Sequence, residues 1–234
     1  MAFQPIDITL PLRETTTTWP GDKAFCQSWT QRIQTGSTVN LSQICLSPHV
    51  GTHVDAPYHY DSAGLTIEQL SWEPLIGHCQ VVTLGLSAEQ RAITADELKK
   101  ALKNVRRPLP PRLLTQTGYR HDEPFQRGFR HPTPEAIDWA AAHDIQLWGT
   151  DAPSVDTYLS KTLPAHRRLQ HHGIIILENL DLSNCSPGRY QLYALPLNTV
   201  GAEAAPVRAI LLPSTQMSTE TANSPPFSPP DNAE

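Results

Sequence analysis

The chain has 234 residues, 39% hydrophobic and 18% charged, with a net charge of −5 and an isoelectric point near 6.0. That length supports one domain with a sizeable core or at most two small ones. Mild acidity without runs of Lys or Arg gives no electrostatic case for nucleic acid or an anionic membrane, and no stretch reaches the ~18 apolar residues of a membrane-spanning helix.

The start, Met-Ala-Phe-Gln-Pro-Ile-Asp, lacks a charged then apolar leader, so the expected location is cytoplasmic. Ile6 to Leu10 alternates as a short strand, followed by a Thr-rich loop through Trp19-Pro-Gly-Asp22 whose Pro-Gly pair signals a turn. Trp19 suits either a hydrophobic plug or contact with a flat ligand. Thr38 to Leu46 is β-rich and delivers the chain into a histidine-bearing loop. His78 to Leu86 predicts a core strand, and Thr94-Ala-Asp-Glu97 a capping box opening a helix to about Val105.

A Pro-rich stretch ends that helix, and Arg112 to Thr117 resumes as a strand. Tyr119 to Pro132 is polar and irregular, which predicts a surface excursion. Thr133-Pro134 starts a second helix to His143, and Ile145 to Trp148 is a strand running into Gly149-Thr-Asp-Ala-Pro-Ser154. There Asp151 and Ser154 suit either substrate orientation or capping of the next turn. Pro164 to His172 reads as a helix stopped by Gly173, with His171 and His172 placed to cap carbonyls at its end.

Ile174 to Leu177 follows as a buried strand ending in Glu178, a carboxylate that needs a partner. Tyr190–Leu195 and Val207–Leu212 complete the strands. Alternating strand, loop and helix favour an α/β architecture. Residues 1–213 are expected to form a single domain, and the polar, Pro- and Ser-rich residues 214–234 a tail without a core. The four cysteines, at 26, 45, 79 and 185, are widely spaced with no CxxC pair, so they are expected reduced and buried.

Chemistry concentrates in Ser47-Pro-His-Val-Gly-Thr-His-Val-Asp-Ala-Pro-Tyr-His59, with three histidines and an aspartate between His49 and His59. His53 and Asp55 are two apart and leave one face of an extended segment. His49 would be roughly 13 Å from His53 along a straight strand at ~3.3 Å per residue. It meets the same ion only if the chain folds back, and Gly51 is where it can do so. His59, beyond Pro57, then stands near the ion without having to bind it, suited to proton transfer. Loop histidines satisfying backbone groups are the plainer alternative, but imidazoles and a carboxylate clustered so closely favour a metal site.

His49-Val-Gly-Thr-His-Val-Asp-Ala-Pro-Tyr-His59 resembles the HxGTHxDxPxH signature of the metal-dependent cyclase family. Trp19–Asp22, Val39-Asn40, Gly149–Ser154, Ser160–Leu163, Ile176–Glu178, Ala194–Leu197 and Pro206–Ala209 resemble segments of its bacterial kynurenine formamidase branch in the same order. The resemblance implies a swivelling β/β/α domain with a mixed sheet and flanking helices, usually a homodimer. It implies two Zn²⁺ per subunit, with Mn²⁺ as the other candidate. His49, His53 and Asp55 are implied as ligands of the first ion, Asp55 as the bridge, and His166 with Glu178 as ligands of the second.

His59 matches the catalytic acid/base, and the implied reaction is hydrolysis of N-formyl-L-kynurenine to L-kynurenine and formate. Trp19, and with it Tyr58 and Trp72, are candidate walls against the substrate ring. Asn179 departs from the glycine often found there in formamidases. Another amide such as isatin, or a metal-binding protein without turnover, are the alternatives.

Overall fold

The computed structural model describes residues 4–85 and 91–214. The strands are β1 (Ile6–Asp7), β2 (Cys26–Gln31), β3 (Leu41–Cys45), β4 (His53–Asp55), β5 (Ile76–Thr83), β6 (Ala92–Ile93), β7 (Arg112–Gln116), β8 (His131–Pro132), β9 (Leu147–Thr150), β10 (Ile175–Glu178), β11 (Gly188–Tyr193), β12 (Ala204–Pro206) and β13 (Ile210–Pro213). The helices are α1 (Ala95–Ala101), α2 (Pro134–Ala141) and α3 (Pro164–His171). None is long and apolar enough to cross a membrane. Of the expected tail, residues 215–234 lie outside the described residues.

Nine strands form one mixed sheet in the order β1-β13-β11-β5-β7-β9-β10-β4-β12. Its centre, β5-β7-β9-β10, is parallel, and one helix lies in each crossover between those strands, as parallel pairing requires. Alternation along each strand sorts the apolar residues onto two faces. Val82, Leu113, Trp148 and Ile176 pack with the helices. Val81, Leu114, Leu147 and Leu177 pack on the other side.

The second cluster also holds Ile8 and Leu211 from one end of the strand order and Val54 and Ala205 from the other. Edges of a flat nine-stranded sheet would stand roughly 38 Å apart at ~4.8 Å per strand, so the sheet curls into a half-barrel. A bridge between Thr9 and Leu180 and the bond from the Asp181 N–H to the Ile8 carbonyl tie the first strand back across the curl. This is the α/β architecture expected, a mixed sheet with flanking helices. Gly149 marks how closely the layers approach, because a Cβ there would sit 2.3 Å from Leu114 Cδ2.

The helices start where their caps predict. Thr94 Oγ1 accepts the Glu97 N–H and Thr133 Oγ1 the Ala136 N–H, and Gly173 takes φ +66 just after α3. One strand was missed and one expectation needs correction. The β2–β3 ribbon stands outside the main sheet as its own two-stranded unit, with β2 absent from the sequence reading because Cys-Gln-Ser-Trp-Thr-Gln lacks apolar alternation. The cysteines are not uniformly buried either: Cys79 and Cys185 are, Cys26 is half-buried and Cys45 exposed.

Candidate metal centre

The site forms where β10 ends and the antiparallel β4 begins, at the carboxyl end of the parallel strands, where open α/β sheets place their ligands. Register decides the first pair: Glu178 is the direct partner of His53, so both side chains leave the same face. Asp55, two residues on, shares that face. His53 Nε2 lies 3.6 Å from Glu178 Oε2 and 3.3 Å from Asp55 Oδ1.

His49 arrives by the fold-back expected at Gly51, which has φ +72 and packs so closely that a Cβ would meet Leu12 Cδ2 at 2.7 Å. Thr52 holds this turn in place by donating from Oγ1 to the Asn179 carbonyl at 2.6 Å and accepting the Leu10 N–H at 2.9 Å. His49 Nδ1 then stands 3.0 Å from Asp55 Oδ1. Asn179 itself has φ +56, a conformation that asparagine tolerates better than most residues.

His166 comes from the first turn of α3 and points Nε2 to within 3.4 Å of Asp55 Oδ2 and 3.9 Å of Glu178 Oε1. Its other nitrogen is held at 2.7 Å by Asp156 Oδ2. Asp156 also accepts the Ala165 and His166 N–H groups at 3.1 Å, fixing the helix start and the ring together. His53 is oriented in the same way by its Nδ1 against the Gly51 carbonyl at 2.9 Å. Metal-binding histidines are commonly held through the second nitrogen like this. The sequence reading missed Asp156; its place ten residues before His166 was the available signal.

These groups aim at shared points more than at one another. Despite the short separations, His49 Nε2, His53 Nε2 and both oxygens of Asp55 are buried without a hydrogen-bond partner. Buried polar atoms left unpaired cost about 1–3 kcal/mol each, so a convergent set of them calls for an occupant. His53, Asp55 and Glu178 each offer a ligand atom within 4.8 Å of the others, and so do His49, Asp55 and His59. Imidazole and carboxylate donors so gathered suit zinc or manganese.

The charges agree. Burial opposes ionisation of Asp55, but His49, His166 and His53 outweigh it and hold its carboxyl well below the usual range. Burial and the neighbouring Asp55 push Glu178 up. Burial also disfavours charge on His166, yet Asp156, Asp55 and Glu178 together raise it to about 10, and His49 is raised against its burial by Asp55. Each of these shifts favours positive charge beside the carboxylates, which a bound cation would also supply.

His59 lies on the open side of this cluster, its ring centroid 4.2 Å from that of His49 and 5.9 Å from that of His166. Burial and the neighbouring imidazoles lower its pKa despite Asp55, favouring the neutral ring. Beyond it opens a cavity of about 400 Å³ lined by His49, His53, His59, His166, Glu178 and Trp19 among others. Trp19 stands 5.1 Å from the Tyr158 ring and 5.3 Å from Phe125. Tyr119, His121 and Phe125 also line it, so part of Tyr119–Pro132 is cavity wall and not only a surface excursion; its aromatic residues were the missed signal.

Other candidates lie elsewhere. Tyr58 and Trp72 are exposed and do not line the cavity. Asp151 is a structural latch, taking the Thr117 and Gly118 N–H groups and the Thr117 hydroxyl, whereas Ser154 lines the cavity and accepts the Asp156 N–H at 3.2 Å. His172 reaches Asp138 on α2 at 2.8 Å instead of capping carbonyls, and His171 is exposed.

A family model described as "Putative cyclase" matches residues 6–157. A potential metal-dependent hydrolase with cyclase activity is similar at 27% identity and TM-score 0.74, over 90% of this chain and 98% of that one. A predicted metal-dependent hydrolase from Bacillus stearothermophilus is also 27% identical, with TM-score 0.74 over 91% and 99%. Isatin hydrolase A from Labrenzia aggregata, bound to benzyl benzoate, shares the fold at 23% identity and TM-score 0.73, over 90% and 93%.

Asp156 gives the site's support a direct test. Asp156→Asn keeps one acceptor for the helix N–H groups but loses the charge behind His166, and is expected to weaken zinc affinity about 10–100-fold. Competition with a chromophoric chelator measures this, and unchanged affinity would exclude the role.

Proposed function

The chain belongs to the cyclase family, and from that premise we propose that it is a metal-dependent amide hydrolase converting N-formyl-L-kynurenine to L-kynurenine and formate. The observation that carries the reading is the buried, partnerless donor set of His49, His53 and Asp55 facing His166 and Glu178 at the floor of a cavity with aromatic walls. Its volume of about 400 Å³ lies within the range of small-molecule sites.

His49, His53 and Asp55 would hold one Zn²⁺, and Asp55, His166 and Glu178 a second. Bound zinc supplies Lewis acidity, lowering the pKa of water from about 15.7 to about 7 and polarising a carbonyl oxygen. His59, on the open side of the cluster and with its neutral form favoured by burial, accepts the proton of the attacking water. It then gives that proton to the departing arylamine nitrogen, which leaves poorly as an anion. Trp19, Phe125 and Tyr158 offer faces and edges to the aryl ring, which fixes the amide over the floor.

One observation favours a second substrate within the same reading. None of the described residues lining the cavity is Lys or Arg, whereas Asp22 and Glu203 are among them. That lining accommodates the ammonium of N-formylkynurenine but places no cation against its carboxylate, and a neutral cyclic amide such as isatin needs none. We also propose a homodimer, formed through the β2–β3 ribbon. Trp29 and Ile44 are exposed on this ribbon, and a lone two-stranded unit is marginal in water.

Zinc-loaded protein is expected to turn over N-formyl-L-kynurenine faster than isatin or formanilide, followed by kynurenine absorbance; the reverse order moves the assignment to the cyclic amide. His59→Ala is expected to lower kcat by about 10²–10⁴-fold with zinc content unchanged, and wild-type turnover in that variant would remove His59 from the chemistry. Sedimentation equilibrium is expected to give twice the 25.9 kDa chain mass, and one chain mass for Ile44→Asp. A monomeric wild type would contradict the dimer.

A further inference from the structure

Two of the four cysteines, 19 positions apart in sequence, meet in space. Cys26 on β2 is the direct cross-strand partner of Cys45 on β3 in the antiparallel ribbon, and both are free thiols, one half-buried and one exposed. Residues directly opposite in such a pair have Cα atoms about 4.5 or 5.5 Å apart and project on the same face. Both spacings fall inside the roughly 4.4–6.8 Å that a disulfide spans. We propose that Cys26 and Cys45 are a modification site, an oxidisable dithiol that closes to an intrachain disulfide across the base of the ribbon.

The rest of the ribbon keeps this face open. Alternation puts Ser28 and Gln43 beside the two thiols and turns Gln27, Trp29, Ser42 and Ile44 to the opposite face. The bond from Gln27 Nε2 to Ser42 Oγ at 2.9 Å runs along that opposite face. A dimer made through Trp29 and Ile44 therefore leaves the thiols accessible. Cys79 and Cys185 differ in kind: both are buried in the core beneath the sheet, away from an external oxidant.

The bond would also sit close to the cavity. The chain before Cys26 carries Trp19 and Asp22, and the chain after Cys45 carries Ser47 and His49, all four lining it. The Ser47 N–H to the Lys23 carbonyl at 2.9 Å already ties these two segments. A covalent bridge at Cys26–Cys45 adds a second tie at the ribbon base and fixes the spacing of both segments.

The chemistry is thiol–disulfide exchange with a low-molecular-weight disulfide. The more exposed Cys45, as thiolate, attacks one sulfur of the oxidant, expels a thiolate and leaves a mixed disulfide. Cys26, as thiolate, then attacks the Cys45 sulfur and expels the second. Two protein thiols give up two protons and two electrons, and the oxidant becomes two thiols.

The test uses the full chain loaded with zinc and incubated with glutathione disulfide, followed by intact mass and peptide mapping without reduction. Wild type is expected to lose two hydrogens, to yield a peptide linked through residues 26 and 45, to run as a single chain on a non-reducing gel, and to keep Cys79 and Cys185 free. Cys26→Ser is expected to trap glutathione on Cys45. Wild type that keeps both thiols, carries glutathione separately on either, or links residue 26 to residue 45 only between two chains would overturn the proposal.

Discussion

The antiparallel register of β4 against β10 is the constraint on which the site depends. It sets His53 opposite Glu178 and brings Asp55 onto the same buried face. Two carboxylate oxygens within 4.8 Å of each other repel by about 3.5 kcal/mol at an effective dielectric of ~20, before the cost of removing both from water is counted. The chain alone relieves this by favouring the protonated form of Glu178 and protons on His166 and His49. A divalent cation relieves it without using protons, and the unpaired atoms of Asp55, His49 and His53 stand where one would be held.

The surrounding fold serves to keep that register. The three parallel crossovers deliver Glu178 and the α3 start to the same end of the sheet, and Asp156 couples helix and imidazole by accepting from both. Leu163, the residue before α3, holds φ +48, an expensive conformation for a leucine, and Asn179, immediately after Glu178, holds φ +56, which asparagine tolerates better. Left-handed backbone thus precedes the helix that carries His166 and follows the strand that ends in Glu178.

The site was more legible in the sequence than the walls around it. His49, His53, Asp55 and His59 lie within eleven positions, so local spacing and one glycine were enough to predict their convergence. His166 came from family resemblance, and Glu178 stood out locally only as a buried carboxylate in need of a partner, because a strand register formed across more than a hundred residues leaves no local mark. The aromatic wall was missed for the same reason. Phe125 and Tyr158 belong to irregular segments whose meeting with Trp19 depends on loop geometry. The ribbon was half-visible: β3 has β-branched and aliphatic residues, β2 is mostly polar, and without β2 the pairing of Cys26 with Cys45 could not be read. Helix starts were read well since a threonine cap is a local device, as Thr94 and Thr133 show.

The central claim, that five side chains from distant parts of the chain hold divalent cations, is tested most directly by anomalous diffraction at the zinc edge from crystals of the zinc-loaded protein. The account predicts two peaks, one about 2.0–2.2 Å from donor atoms of His49, His53 and Asp55, the other at that distance from Asp55, His166 and Glu178. Absence of any peak among these residues, with zinc bound elsewhere or not at all, would contradict it.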